Sequence, residues 1–290
     1  MRSSLSFRLG CAWLGAALVL VLAAPPASAQ IEQQTERCSN DGHKYSPDVV
    51  IKACSALIFL LKSRGLTGDQ AMEVEGETLT YRADAYSDKK DYDHAIADYT
   101  EAIADYKTLK KPKVANINYL YRARGVIYLL FKEDYDHAIA DANAAIKLNA
   151  DDARAYALRA LAYEGKGDED KALTDFDQAI ALSPNDAQLL SERASAYLHK
   201  SEPDRAVADL NAALAIEPKN ASFLTTRCRA HALAGDFDKA LADCDKAIAI
   251  EPDNALAYYT RGLVKRINGD TAGGDKDVAH AQSIDPQIGK

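Results

Sequence analysis

An aspartate beside a histidine can bind a metal ion or move a proton, and this chain places that pair twice in identical surroundings, DYDHAIAD at residues 91–98 and 134–141. Six arginines (Arg82, Arg124, Arg159, Arg193, Arg227, Arg261) are matched by six aspartates (Asp98, Asp141, Asp175, Asp209, Asp243, Asp277). Such a set either neutralises itself or leaves its guanidinium groups to line an anion-binding stripe. Cys38, Cys54, Cys228 and Cys244 offer disulfides, redox thiols or metal ligands. Neither cysteine pair has CxxC spacing, and no histidine joins both pairs in a ligand set. GxSxG, HExxH, Walker-type glycine loops and GxGxxG do not occur. The sequence therefore predicts no catalytic residues, no metal ligands and no cofactor.

Spacing explains these side chains better than chemistry does. The arginines follow one another at intervals of 42, 35, 34, 34 and 34 residues, and each is followed by a small residue: Ala83, Gly125, Ala160, Ala194, Cys228, Gly262. Four residues after the arginine stands a tyrosine in the first four copies (Tyr86, Tyr128, Tyr163, Tyr197), replaced by His231 and Lys265 in the last two. A polar turn then separates two stretches with helical apolar spacing. The second stretch carries a small residue at 95, 138, 172, 206, 240 and 274, and alanine again seven positions later. Two small residues a heptad apart share a helix face and admit a close neighbour. Pro184, Pro218, Pro252 and Pro286 close the second stretch, where a residue without an N–H ends a helix.

This arrangement resembles the tetratricopeptide repeat, a 34-residue helix–turn–helix unit with small residues at fixed positions and a late proline. The resemblance covers roughly residues 76–288 in six copies. It implies an all-α, right-handed superhelical solenoid whose first helices line a groove that binds a protein or peptide. By register the expected lining is Thr80, Asp84, Arg122, Val126, Leu129, Leu161, Ser191, Ser195, Thr225, Arg229, Tyr259 and Leu263. The lysine and asparagine pattern of relatives that grip a chaperone's C-terminal carboxylate is missing. The chain departs from the family pattern in its arginines, in an extra segment around 106–116, and in one additional turn residue in the second copy.

DYDHAIAD then falls on a turn and the start of a second helix, where Asp93 and Asp136 are expected to cap or charge the helix N-terminus. The arginines and aspartates form a ladder, because a charge on an inner helix face is costly unless matched. Whether each arginine meets its own repeat's aspartate or a neighbour's stays open. Cys38 and Cys54 are 16 residues apart, as are Cys228 and Cys244, which selects those two disulfides. Aligning Cys54 with Cys244 marks the segment from about 38 to 61 as a degenerate hairpin capping the array.

The N-terminus combines a basic start, an apolar run and Ala27-Ser28-Ala29, which reads as a signal peptide cleaved between Ala29 and Gln30. The expected division is thus a signal peptide at 1–29, a capping hairpin and linker at 30–75, and six repeats at 76–290. Losing Arg2 and Arg8 takes the formal charge from −8 to −10, which argues against nucleic acid as a partner. No second stretch has membrane length. The expected product is a periplasmic or secreted, non-catalytic scaffold. Alternatives are a self-associating structural protein, joined through its C-terminal repeat where Gly273-Gly274 weakens the last helix, and an enzyme or small-ligand carrier using the groove.

Overall fold

Short polar side chains set where each helix begins. Asp152, Asp186 and Asn220 accept hydrogen bonds from two backbone N–H groups of the helix that follows, and Asn254 from one. The second helices start on Asp91, Asp134, Asp168 and Asp270, whose carboxylates each accept one such bond. Each cap replaces a partner that the first turn lacks, and its loss costs about 1 kcal/mol. Within the octapeptides the caps are thus Asp91 and Asp134, while Asp93 and Asp136 lie in the first helical turn and supply negative charge there.

The turns inside the repeats follow one pattern, with one residue more in the second. Lys90, Glu133, Gly167, Ser201, Gly235 and Gly269 take positive φ at equivalent places. The next residue's N–H returns to the carbonyl of Tyr86, Tyr128, Tyr163, Tyr197, His231 or Lys265 at 2.8–2.9 Å. This bond, six-to-one in five repeats and seven-to-one in the second with its additional turn residue, closes the first helix and aims the chain into the second.

The computed structural model describes residues 25–65 and 67–290, and the side chains from 31 onward apart from 66. The signal-peptide segment lies outside the described residues up to Ala24. Fourteen helices are present among the described residues, packed pairwise in sequence order as in a tetratricopeptide solenoid. The chain forms two compact units, one ending at Ala150 and one spanning Asp151–Lys290.

The first unit holds α1 (Pro25–Ser39), α2 (Pro47–Ser63), α3 (Asp69–Asp88), α4 (Tyr92–Thr108), α5 (Val114–Phe131) and α6 (Tyr135–Leu148). Helices α1 and α2 form the N-terminal hairpin, and α1 also touches α3. Helix α3 starts at Asp69, ahead of the boundary expected at 76. The second unit holds α7 (Ala153–Gly165), α8 (Glu169–Leu182), α9 (Ala187–His199), α10 (Pro203–Ile216), α11 (Ala221–Leu233), α12 (Phe237–Ile250), α13 (Ala255–Ile267) and α14 (Thr271–Ile284). In this unit α9 meets α11 and α11 meets α13, so first helices of successive hairpins lie side by side.

The cores of the third and fourth repeats set a small residue against a large one. Ala160, Phe176, Ala194 and Leu210 are fully buried, and burying a side chain the size of Phe176 contributes about 2–3 kcal/mol. In the last hairpin both small positions are glycine. A Cβ on Gly274 would lie 2.6 Å from the Gly262 carbonyl oxygen, so the α13–α14 approach depends on a bare backbone.

Candidate functional site

The arginine–aspartate pairs are structural clamps with a repeated geometry. Arg82, Arg124, Arg159, Arg193, Arg227 and Arg261 each donate through Nε and Nη2 to the two oxygens of their own repeat's aspartate, at 2.7–2.9 Å. All six aspartates are buried. The remaining Nη1 reaches the preceding hairpin: Arg124 to Thr100 (2.6 Å), Arg193 to Asp177, Arg227 to Asn211 and Arg261 to Asp245, each at 2.7 Å. Arg82 makes the same link to Ser55 on α2 at 3.1 Å. Ser55 follows Cys54 as Asp245 follows Cys244, so α2 carries the register of a repeat's second helix. One guanidinium thus closes its own hairpin and ties it to the one before, which occupies the groups an anion stripe would need.

The cysteines form the expected pairs, Cys38–Cys54 and Cys228–Cys244, with Cα atoms 4.9 and 5.5 Å apart. The octapeptide histidines are absorbed by packing. His94 and His137 bond their capping aspartates through Nδ1 at 2.8 and 2.7 Å and stack on Tyr86 and Tyr128. Lys171 and Arg205 cover Tyr163 and Tyr197 in the next two repeats. Among the described residues no three His, Cys, Asp or Glu side chains converge to hold a metal ion, and no helix is long and apolar enough to cross a membrane.

The expected groove residues take different roles. Leu129 is buried and Leu161 packs on the core of the second unit. Ser195 donates to the Ser191 carbonyl at 3.2 Å. Arg122 Nε bonds the Asn118 side chain at 3.3 Å. Tyr259 is partly buried, its ring against Gly289. Val126, Arg229 and Leu263 are exposed. Asp84 belongs to a concave site: a pocket of about 670 Å³ in the first unit, between α3, α5 and the α1–α2 loop.

That pocket arises where the repeat pattern breaks. The 42-residue first interval lengthens the repeat, and its extra segment supplies Tyr106, Ala115 and Asn116 to the wall. Gly76 lets Tyr106 lie against α3, since a Cβ there would stand 3.1 Å from the ring. The opposite lip runs from Cys38 to Tyr45. Asn40 holds it closed, bonding the Tyr45 backbone N–H (2.7 Å) and carbonyl (3.1 Å), and the Cys38–Cys54 disulfide anchors its base. Helix α3 contributes Glu77, Thr80, Tyr81, Asp84 and Asp88. Asp84 accepts from the hydroxyls of Tyr99 (2.6 Å) and Tyr119 (3.0 Å), yet burial still pushes its pKa up to about 6. Burial, with Glu73 nearby, pushes Glu77 to about 7 against the opposing charge of Lys113. Sequence reasoning found Thr80 and Asp84 but missed Glu77, Tyr81, Asn116, Tyr119 and the loop. Carboxylates seven residues apart around a tyrosine on one helix face were the available signal.

A family model for the tetratricopeptide repeat matches residues 78–104, and one described as the Psidin N-terminal tetratricopeptide repeat region matches 122–258. No curated protein matches the sequence. Among solved structures the chain is similar to a tetratricopeptide repeat protein from Parabacteroides merdae ATCC 43184, with 16% identity over 90% of this chain and 95% of that one and a TM-score of 0.70. BtubC from P. vanneervenii shares 18% identity over 72% and 92% at TM-score 0.61. MamA from Desulfovibrio magneticus RS-1 shares 17% over 60% and 97% at 0.52. These likenesses concern the fold. Six clamped hairpins, the repeat matches and the structural neighbours agree, and the chain is a tetratricopeptide repeat protein, a class that generally serves as a scaffold for protein–protein interaction.

Proposed function

We propose that this protein is an exported, non-catalytic adaptor that holds a peptide segment of a partner in the pocket between α3, α5 and the α1–α2 loop. The observation that carries the reading is the pocket itself, concave, large enough for several side chains and lined by polar groups that take no part in the clamps. Export is supported by the signal-like N-terminus and by two disulfides, which suit an oxidising compartment such as the periplasm. The test is photo-crosslinking in the native envelope from position 80, in the pocket, and from position 104, on the exposed face of α4. A discrete adduct from 80 alone supports the reading, and identical patterns from both positions overturn it.

A second reading, self-association through the C-terminal hairpin, is favoured by Leu256, Leu263 and Ile267, which are exposed on α13 at helical spacing. Light scattering after size exclusion decides between them. A monomer removes this reading and a dimer broken by Ile267→Glu supports it.

A further inference from the structure

The pocket wall is electrostatically one-sided. Its carboxylates are Asp41, Glu77, Asp84 and Asp88, and neither lysine nor arginine lines it; His43 is its single basic residue type. Glu77, Tyr81, Asp84 and Asp88 share one face of α3, and the 1.5 Å rise per residue sets Glu77 and Asp84 about 10 Å apart along the axis. Between them the wall is apolar and aromatic: Tyr81, Tyr106, Tyr119, Ala85 and Leu120. Glu77 has no hydrogen-bond partner among the described residues. A carboxylate held in such a wall, with the nearby Lys113 ammonium paired to Glu73 at 2.7 Å, is the costly state, and a ligand that brings positive charge on an apolar stem removes that cost. Tyrosine faces add cation–π attraction. An inorganic cation fits less well, because no three ligating side chains converge among the described residues.

Resting on the adaptor reading above, we propose that this pocket seats a basic side chain of the partner peptide, a lysine ammonium or an arginine guanidinium, with Glu77 and Asp84 as counter-charges and Tyr81 and Tyr119 as walls. Binding is then linked to protons. Glu77 faces Glu73 on its own helix, Lys113 ahead of α5 and Tyr106 on α4. Asp84 faces Asp88, Tyr99 on α4 and Tyr119 on α5, with Asp41 and His43 of the loop on the same pocket. With both carboxyls pushed up by burial, to about 7 and about 6, a cation releases protons on entering below neutrality and binds more tightly as pH rises from 5.5 to 8.

The experiment is calorimetry on the purified full chain at pH 7.5, with Ac-Gly-Lys-Gly-NH2, its Nε-acetylated form, Ac-Gly-Arg-Gly-NH2 and cadaverine as probes. The expected result is that acetylation weakens binding at least about tenfold, and that Glu77→Gln and Asp84→Asn each weaken the lysine peptide by about tenfold, roughly 1.4 kcal/mol. Circular dichroism checks that both variants fold. Equal affinity for the two lysine peptides overturns the cation site while leaving the adaptor reading to the crosslink from position 80. Cadaverine binding without peptide binding overturns the peptide source and assigns the pocket to free amines. Absence of binding by all four probes to a folded chain overturns the proposal outright.

Discussion

Replacing Arg193 with leucine removes a group that does three things at once. Its Nε and Nη2 hold both oxygens of Asp209, at 2.8 and 2.7 Å, and its Nη1 reaches Asp177 on the preceding hairpin at 2.7 Å. Asp177 is 58% exposed, so that third contact contributes under about 1 kcal/mol. Asp209 is 7% exposed and is left in the α9–α10 interface without a counter-charge, which costs about 3–5 kcal/mol. Arg193→Lys keeps the charge but loses the fork, and is expected to cost about half as much. The double variant Arg193→Leu, Asp209→Leu removes both charges and is expected to recover most of the loss, since apolar replacement of a buried pair is often neutral. Urea unfolding combined with hydrogen exchange in α9 and α10 is the suitable assay, because arrays of repeats open locally as well as globally. A single variant within about 0.5 kcal/mol of the parent, or a double variant no better than the single, refutes the clamp.

Other outcomes follow from the same structure. Gly274→Ala gains about 1 kcal/mol of helix propensity but drives a Cβ to 2.6 Å from the Gly262 carbonyl, so thermal unfolding is expected to show a net loss of about 1–3 kcal/mol; a raised Tm contradicts the close approach. Removing Cys228–Cys244 as Cys228→Ala, Cys244→Ala loses about 3 kcal/mol, whereas Cys228→Ala, Cys244→Leu recovers part of it by copying the buried Ala194 and Leu210, as chemical denaturation will read. For Glu77 the folded pKa of about 7 lies above its ordinary 4.5, so the folded state binds the proton more tightly; its stabilising effect is full below about pH 4.5 and is lost as pH rises through 7. Glu77→Gln is therefore expected to stabilise the first unit progressively from pH 5 to 8, by up to about 3 kcal/mol, and a pH-independent difference contradicts the shift.

The parts of this molecule that recur were legible in its sequence, and the parts that occur once were not. Arg193 and Asp209 are visible because five other pairs hold the same register, and the two cysteine pairs because both span 16 residues. Repetition did not reveal that Nη1 crosses to the preceding hairpin, because its acceptors change identity: Ser55, Thr100, Asp177, Asn211, Asp245. It left open whether Asp93 and Asp136 cap the helix N-termini or charge them; they charge the first turn, and Asp91 and Asp134 do the bonding. A periodic pattern fixes a helix face better than the terminal residue. The pocket depends on an irregular interval, on Gly76 yielding to Tyr106, and on the loop that Asn40 closes. None of these has a counterpart in another repeat, so no internal comparison exposed them. Leu129 shows the converse error: its register placed it on an open surface, and packing buried it.

The central claim is that the six arginines are spent on structure, leaving recognition to the pocket. The most direct measurement is the arginine Nε–H spectrum of the isotope-labelled chain at neutral pH, with and without an added acidic peptide. Six slowly exchanging resonances with hindered guanidinium rotation, unmoved by the acidic peptide, are the predicted result. Rapid exchange at these arginines, or shifts of the whole set on adding the peptide, would show the guanidinium groups free to bind anions and would contradict the account.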